Sequence, residues 1–144
     1  MQDFLSSILP DEGVYFIAEK TDVGFPHYPC RTLEEMSQKA AEIDARGHDA
    51  YFACASYKQE GYTDDAGKLR KRTAENAGWA KSFWLDIDCG ADKADAGDGY
   101  ATINDALAAL LAFIAAVDLP KPHIVFSGGG LHVYWPLAQT ITKE

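Results

Sequence analysis

The stretch that most constrains this chain is residues 82–90, Ser-Phe-Trp-Leu-Asp-Ile-Asp-Cys-Gly. It reads as a β-strand that carries two carboxylates one residue apart. Successive side chains of a strand leave opposite faces, so Asp86 and Asp88 share one face while Phe83, Leu85, Ile87 and Cys89 take the other, where they can pack into a core. At about 3.3 Å per residue the two acids stand roughly 6.5–7 Å apart along the strand, close enough to bracket a hard divalent cation and, without one, to repel. Mg²⁺ is usually held by one or two carboxylates completed by water and substrate phosphates. The same pattern also suits the wet side of an edge strand, and the spacing alone does not separate the two.

A length of 144 residues implies one domain, residues 1–144, with room for a real core. The longest apolar run, residues 106–117, falls short of the roughly 20 residues a membrane-spanning helix needs, so no membrane partner is expected. The N-terminus lacks the positive segment of a secretory signal. Cys30, Cys54 and Cys89 are odd in number, far apart and without a C-x-x-C pair, which argues against a zinc ribbon or a redox motif and suits three thiols in the cytoplasm. A net charge of -9 argues against binding nucleic acid over the whole surface. Yet six of the 13 basic residues, Lys58, Lys68, Arg70, Lys71, Arg72 and Lys81, fall within residues 58–81, opposed there by Glu60, Asp64, Asp65 and Glu75. That local patch fits a phosphate-backbone contact, and it fits a solvated loop as well.

In chain order, residues 1–12 read as a lead-in with about one helical turn. Residues 13–19, β-branched and aromatic, read as a first strand. Residues 21–30 hold Gly24, Pro26 and Pro29 and read as a loop or irregular edge. Thr32 with Glu35 three residues on predicts a capped helix that presents Leu33, Met36, Ala40 and Ile43 on one face and ends at Gly47. Residues 50–57 read as a second strand. Residues 58–78 form a long polar connection, with a helical stretch possible near 69–76; connections of that length are usually functional or mobile. After the carboxylate strand, residues 90–99 read as a solvated acidic loop with Asp92, Asp95 and Asp98. Residues 100–117 read as an amphipathic helix carrying Ile103, Leu107, Leu110, Leu111 and Ile114, closed by Pro120 and Pro122. The fold class that results is α+β, a mixed β-sheet with helices packed on it, ordered β-α-β and then β-α-β-β.

The last of these units is residues 123–137, His-Ile-Val-Phe-Ser-Gly-Gly-Gly-Leu-His-Val-Tyr-Trp-Pro-Leu, two strands about three glycines and so a hairpin. His132 and Tyr134 share one face, and Leu131, Val133 and Trp135 the other. Glycines let a backbone approach a ligand closely, and a serine hydroxyl and an imidazole beside exposed turn N–H groups suit a triphosphate. The plainer reading is a tight turn with His132 packed beside the sheet.

Taken together, Phe-Trp-Leu-Asp86-Ile-Asp88 followed by Val-Phe-Ser127-Gly-Gly-Gly-Leu-His132-Val-Tyr resembles the archaeo-eukaryotic primase superfamily, most closely the primase-polymerases of phages and plasmids. The likeness covers about residues 50–137: a hydrophobic-Asp-hydrophobic-Asp motif, a helix, then a Ser-Gly-x-Gly-x-His-type motif. It implies a catalytic core with an RRM-like β-α-β-β unit and template-dependent nucleotidyl transfer with two divalent metals, Mg²⁺ or Mn²⁺. Asp86 and Asp88 would be the metal ligands, with His132 the third catalytic group, and Ser127, Gly128, Gly129 and His132 would meet the nucleoside triphosphate. Arg72 or Lys81 could add a phosphate contact, though no motif fixes that role; Lys68, Arg70 and Lys71 would approach a single-stranded DNA template. A replicative helicase, as domain or partner, and a bacterial or phage-infected cytoplasm follow from the same likeness. One departure stands out. The family completes its metal site with a later carboxylate, whereas only Glu144 follows His132 here, and the arginine-rich segment of relatives is missing; the expectation is an N-terminal piece of a longer enzyme or a degenerate relative. The competing classes are a non-catalytic nucleotide- or nucleic-acid-binding module, and a nicking replication initiator, which would want a second histidine beside His132.

Overall fold

In the computed structural model, which describes residues 2–143, the order is α1 (Gln2–Ile8), β1 (Tyr15–Lys20), β2 (His27–Cys30), α2 (Leu33–Asp44), β3 (Asp49–Phe52), β4 (Ala55–Tyr57), β5 (Tyr62–Thr63), β6 (Leu69–Arg70), β7 (Ala77–Asp88), α3 (Ala91–Ala96), α4 (Ile103–Ala116), β8 (His123–Phe126) and β9 (Gly130–Thr142). The class is α+β. The chain divides into two compact units, Met1–Lys81 with Ala138–Glu144, and Ser82–Leu137.

In the first unit, β1 is buried over five successive residues and pairs antiparallel with β2 on one side and β3 on the other. Of the two readings of the Pro29-containing segment, loop or irregular edge, the second holds for His27–Cys30, an edge strand where a proline's missing N–H costs no ladder bond. Helix α2 begins as its sequence predicts. Thr32 Oγ1 accepts the Glu35 N–H at 3.1 Å, although the Glu35 carboxylate reaches the Arg31 N–H rather than closing a full capping box. Met36 and Ile43 are its buried face. Gly47 lies beyond the helix with φ +76°, a left-handed turn that glycine adopts without strain. The expected strand at residues 50–57 is two strands, β3 and β4, which belong to different sheets. The connection after β4 holds no helix: Tyr62↔Arg70 and Thr63↔Leu69 pair as a small hairpin, and Asp64 clasps its turn by accepting the N–H groups of Ala66 and Lys68. Asp64 is the kind of residue that folds a turn around its own side chain, and it wins over helix propensity here.

In the second unit α4 lays Ala106, Leu110 and Ile114 on Leu131, Val133 and Trp135, with Ile87, Cys89, Ile103, Leu107 and Ile124 around them. Thr102 caps the helix by accepting the Asp105 N–H at 3.1 Å. Full burial of a Leu, Ile or Val is worth about 1.5–3 kcal/mol each, so this small core carries the unit. Two expected core residues of β7 stay out of it: Phe83 and Leu85 are 61% and 42% exposed, because the cluster about α4 takes in Ile87 of β7 and, just past the strand, Cys89. Leu111, also expected inside, is exposed, and Ala106 takes the inner position.

Strands lie in the order β4-β7-β9-β8. β8 and β9 are antiparallel, with His123↔Tyr134 and Val125↔His132 opposed. From Gly130 to His132, β9 passes back along β7 from Asp88 to Asp86, so β7 and β9 are antiparallel too. β7 and β8 are then parallel, joined through α4, with β9 inserted between them: a split β-α-β. The other registered pairings are antiparallel as well, and the isolated bridge Cys89–Tyr100 is parallel.

Candidate functional site

Because β9 lies next to β7, His132 stands across from Asp86. Its Nε2 is 3.5 Å from Asp86 Oδ1, with the imidazole about a third exposed and the carboxylate 70% exposed. Alternation on the two strands puts Asp86, Asp88 and His132 on the face opposite α4, since Ile87, Cys89, Leu131 and Val133 take the α4 side. The strand pairing thus joins the two motifs that are more than 40 residues apart in the chain.

Asp88 is held differently. Lys93, in the short helix α3, donates from Nζ to Asp88 Oδ2 at 2.9 Å, and both side chains are half-exposed. That hydrogen bond pushes the Lys93 ammonium pKa up, and the charges of Asp88, Asp98 and Asp86 add to it. A separate open groove of about 390 Å³ borders β7 on its α4 side, lined by Leu85, Asp86 and Asp88, by Asp98 and Tyr100, and by Ala109, Leu110 and Phe113 of α4; His132 is not in its lining. The acidic loop expected at residues 90–99 is α3 and a turn, and its single cation is the one that finds a motif aspartate. A lysine alone among the acids of residues 86–98 would have been the sequence signal.

Two other glycines, Gly130 and Gly99, make close backbone approaches beside Asp88. A Cβ on Gly130 would stand 2.0 Å from the Ile87 carbonyl oxygen and 3.2 Å from Asp88 Cα. A Cβ on Gly99 would stand 2.4 Å from the Asp88 carbonyl oxygen. Two glycines thus clasp the backbone of Asp88. The Cys89 N–H donates to the Gly129 carbonyl at 2.8 Å, and the Tyr100 N–H to the Asp88 carbonyl at 3.0 Å. Gly130 serves strand approach rather than phosphate approach. Gly128, at φ +88°, and Gly129 have open space where a Cβ would be, and Ser127 is exposed with its N–H on the Gly130 carbonyl. All three lie in the turn between β8 and β9, the strand that carries His132.

The remaining candidates belong to the first unit. Lys81 Nζ donates to both oxygens of Asp11 at 3.0 Å and to the Ser6 carbonyl, so its charge is engaged by the N-terminal segment. Arg70 pairs with Asp64 at 2.7 Å, Lys71 donates to the His27 carbonyl, Lys68 is exposed, and Arg72 is half-buried. Arg72 and Lys71 add to burial in pushing the His27 pKa down, which marks a positive field about this hairpin. Glu144, the one carboxylate after His132, lies outside the described residues.

Among the described residues no group of three or more His, Cys, Asp or Glu side chains is placed to hold a metal ion. The two strand carboxylates nevertheless fit half of a Mg²⁺ or Mn²⁺ site, the rest of which water and phosphate oxygens ordinarily supply. That Asp88 already carries an ammonium shows the position accepts a cation. No helix among the described residues is long and apolar enough to cross a membrane.

No family model, no curated protein and no solved structure matches this chain.

Proposed function

We propose that this chain is a primase-polymerase-type nucleotidyltransferase of the archaeo-eukaryotic class, acting on nucleoside triphosphates along a single-stranded DNA template in phage or plasmid replication. The observation that carries the reading is the cross-strand contact of His132 with Asp86, one residue from Asp88, on a face that α4 leaves open. The strand order β7-β9-β8 with α4 between β7 and β8 supports it, being the order of an RRM-like β-α-β-β unit. Asp86 and Asp88 would hold the divalent ions. When bound, such ions neutralise phosphate charge and activate a hydroxyl for in-line displacement. His132, poised beside Asp86, would donate from its ring to phosphate oxygens where charge develops, and the Ser127 hydroxyl at the turn would add a second donor. The close approach of Gly99 and Gly130 would hold the Asp88 backbone in register when a ligand binds. The basic hairpin about Arg70 would attract the template, and a helicase would be its partner in the host or infected cytoplasm.

That no group of three or more His, Cys, Asp or Glu side chains among the described residues is placed to hold a metal favours one other reading, a module that binds nucleotide and does not catalyse. One experiment separates them. Incorporation of labelled nucleotide on a single-stranded template is measured with Mn²⁺, beside Mn²⁺-dependent nucleotide binding, in the wild type and in Asp86→Asn/Asp88→Asn. The enzyme reading expects both signals in the wild type and neither in the double variant. Binding without incorporation favours the module, and the absence of both from the wild type removes the site.

A further inference from the structure

Lys93 is the feature no motif accounts for. Its ammonium lies 2.9 Å from Asp88 Oδ2, and Asp86 and Asp98 bear on it through space. A lysine is a flexible stem with a compact charge, so it can leave one anion for another without moving its backbone. Asp88 has the opposite character. Its backbone is clasped by Gly99 and Gly130, and only its partner can change. The pair is half-exposed on both sides, a setting in which ion pairs are weak and exchangeable.

We propose that Lys93 is a resident counter-cation of the carboxylate pair, which a divalent ion displaces from Asp88 and which then serves the phosphates of the incoming ligand. The inference rests on the metal reading of Asp86 and Asp88 and adds to it a residue and an order. One ammonium offsets the repulsion of the two acids before metal arrives. The divalent ion takes Asp88 from it, and the released ammonium, carried on the short helix α3 beside the pair, meets the negative charge that accompanies the metal. The exchange makes metal binding weak in the absence of phosphate and tighter in its presence.

The sign of the effect is the test. Mn²⁺ is titrated into the full chain and followed by its electron paramagnetic resonance, first alone and then with inorganic triphosphate, for the wild type, Lys93→Met and Lys93→Ala. Removing the competitor should tighten Mn²⁺ alone by about two- to fivefold, the range for an exposed ion pair. With triphosphate present the same variants should bind more weakly than the wild type by roughly threefold or more, because a charged donor is lost. Lys93→Arg should keep the wild-type order. Equal Mn²⁺ affinity in wild type and both neutral variants overturns the role of Lys93 while leaving the metal site standing. If neither they nor the wild type bind more Mn²⁺ than Asp86→Asn/Asp88→Asn, the metal reading fails, and the inference with it.

Discussion

Two carboxylate sites in this molecule are built on opposite principles. Glu19, on β1, is buried and saturated. His48 Nδ1 donates to Oε1 at 2.6 Å, the Tyr28 hydroxyl to Oε2 at 2.8 Å, and Arg46 reaches both oxygens at 3.1 and 3.0 Å. Those donors, the His48 and Tyr28 hydrogen bonds first, hold its pKa down at about 2. Asp86 is 70% exposed and has one imidazole at 3.5 Å. A carboxylate whose lone pairs are all filled by its own chain ties elements together; here Glu19 joins β1 to β2 and to the segment after α2. One left with open lone pairs on a fixed backbone can still take a ligand. The first is architecture and the second is a site, and the difference lies in the donors around each acid rather than in the acid.

The largest effect that would break this comparison concerns the backbone under Asp88. Gly130→Ala should destabilise the protein by about 3 kcal/mol, the upper end for forcing an atom into occupied space, because the added carbon meets the Ile87 carbonyl. Gly129→Ala, with nothing within 4 Å of its Cβ, should leave the melting temperature nearly unchanged. Equal melts for the two variants would show that Asp88 is not clasped, and would make its availability a matter of mobility.

Next comes the saturated site. The Glu19 carboxyl has its pKa lowered from 4.5 to about 2 in the folded chain. A depressed carboxylate contributes stability that is fully present above its unfolded value and is lost as pH falls toward its folded value. The wild type should therefore lose melting temperature between about pH 4.5 and pH 2, and Glu19→Gln, less stable at neutral pH, should show a flatter profile across that window. Parallel profiles for the two proteins would mean that the network about Glu19 adds nothing.

The open site is probed by His132→Ala. It should weaken Mn²⁺-dependent nucleotide binding by about 1–3 kcal/mol, the range for losing a hydrogen bond to a charged group, with little change in melting temperature. A destabilised variant with unaltered affinity would move His132 from the second kind of site to the first.

What could be read from the sequence follows the same division. The alternation about Asp86 and Asp88, the capping threonine Thr32, and the hairpin around Ser127 are local signals, and each is where the sequence puts it. The pairing of Asp86 with His132 depends on β9 entering between β7 and β8, which no local pattern encodes. Glu19 looked like one more strand residue because its donors come from segments up to 29 residues away. Phe83 and Leu85 obeyed the strand period and still lie exposed, since period sets the face and only the reach of α4 sets burial. Gly99 and Gly130 are legible as glycines but not as a clasp, because the atom each one spares belongs to another segment.

The smallest effect expected is on the basic hairpin, and it extends the comparison from carboxylates to cations. Arg70 is to this patch what Glu19 is to the acids: its charge is already taken, by Asp64 at 2.7 Å. Lys71 spends a donor on the His27 carbonyl at 3.0 Å, whereas the Lys68 side chain stands in solvent. If phosphates are drawn to this hairpin, every phosphate left without its cation should reduce the slope of log affinity against log salt by about 0.7 for single-stranded DNA. Lys68→Ala should then flatten the slope by nearly that amount. Arg70→Ala should do less, because removing it also uncovers Asp64, whose negative charge repels the strand, and so its effect should fall on affinity at every salt concentration rather than on the slope. Filter-binding titrations over a salt series, with both single variants and with Lys68, Arg70, Lys71 and Arg72 all neutralised, measure each effect. A slope unchanged even in the quadruple variant would make the whole hairpin a solvated turn, its cations no more available to DNA than Glu19 is to a metal.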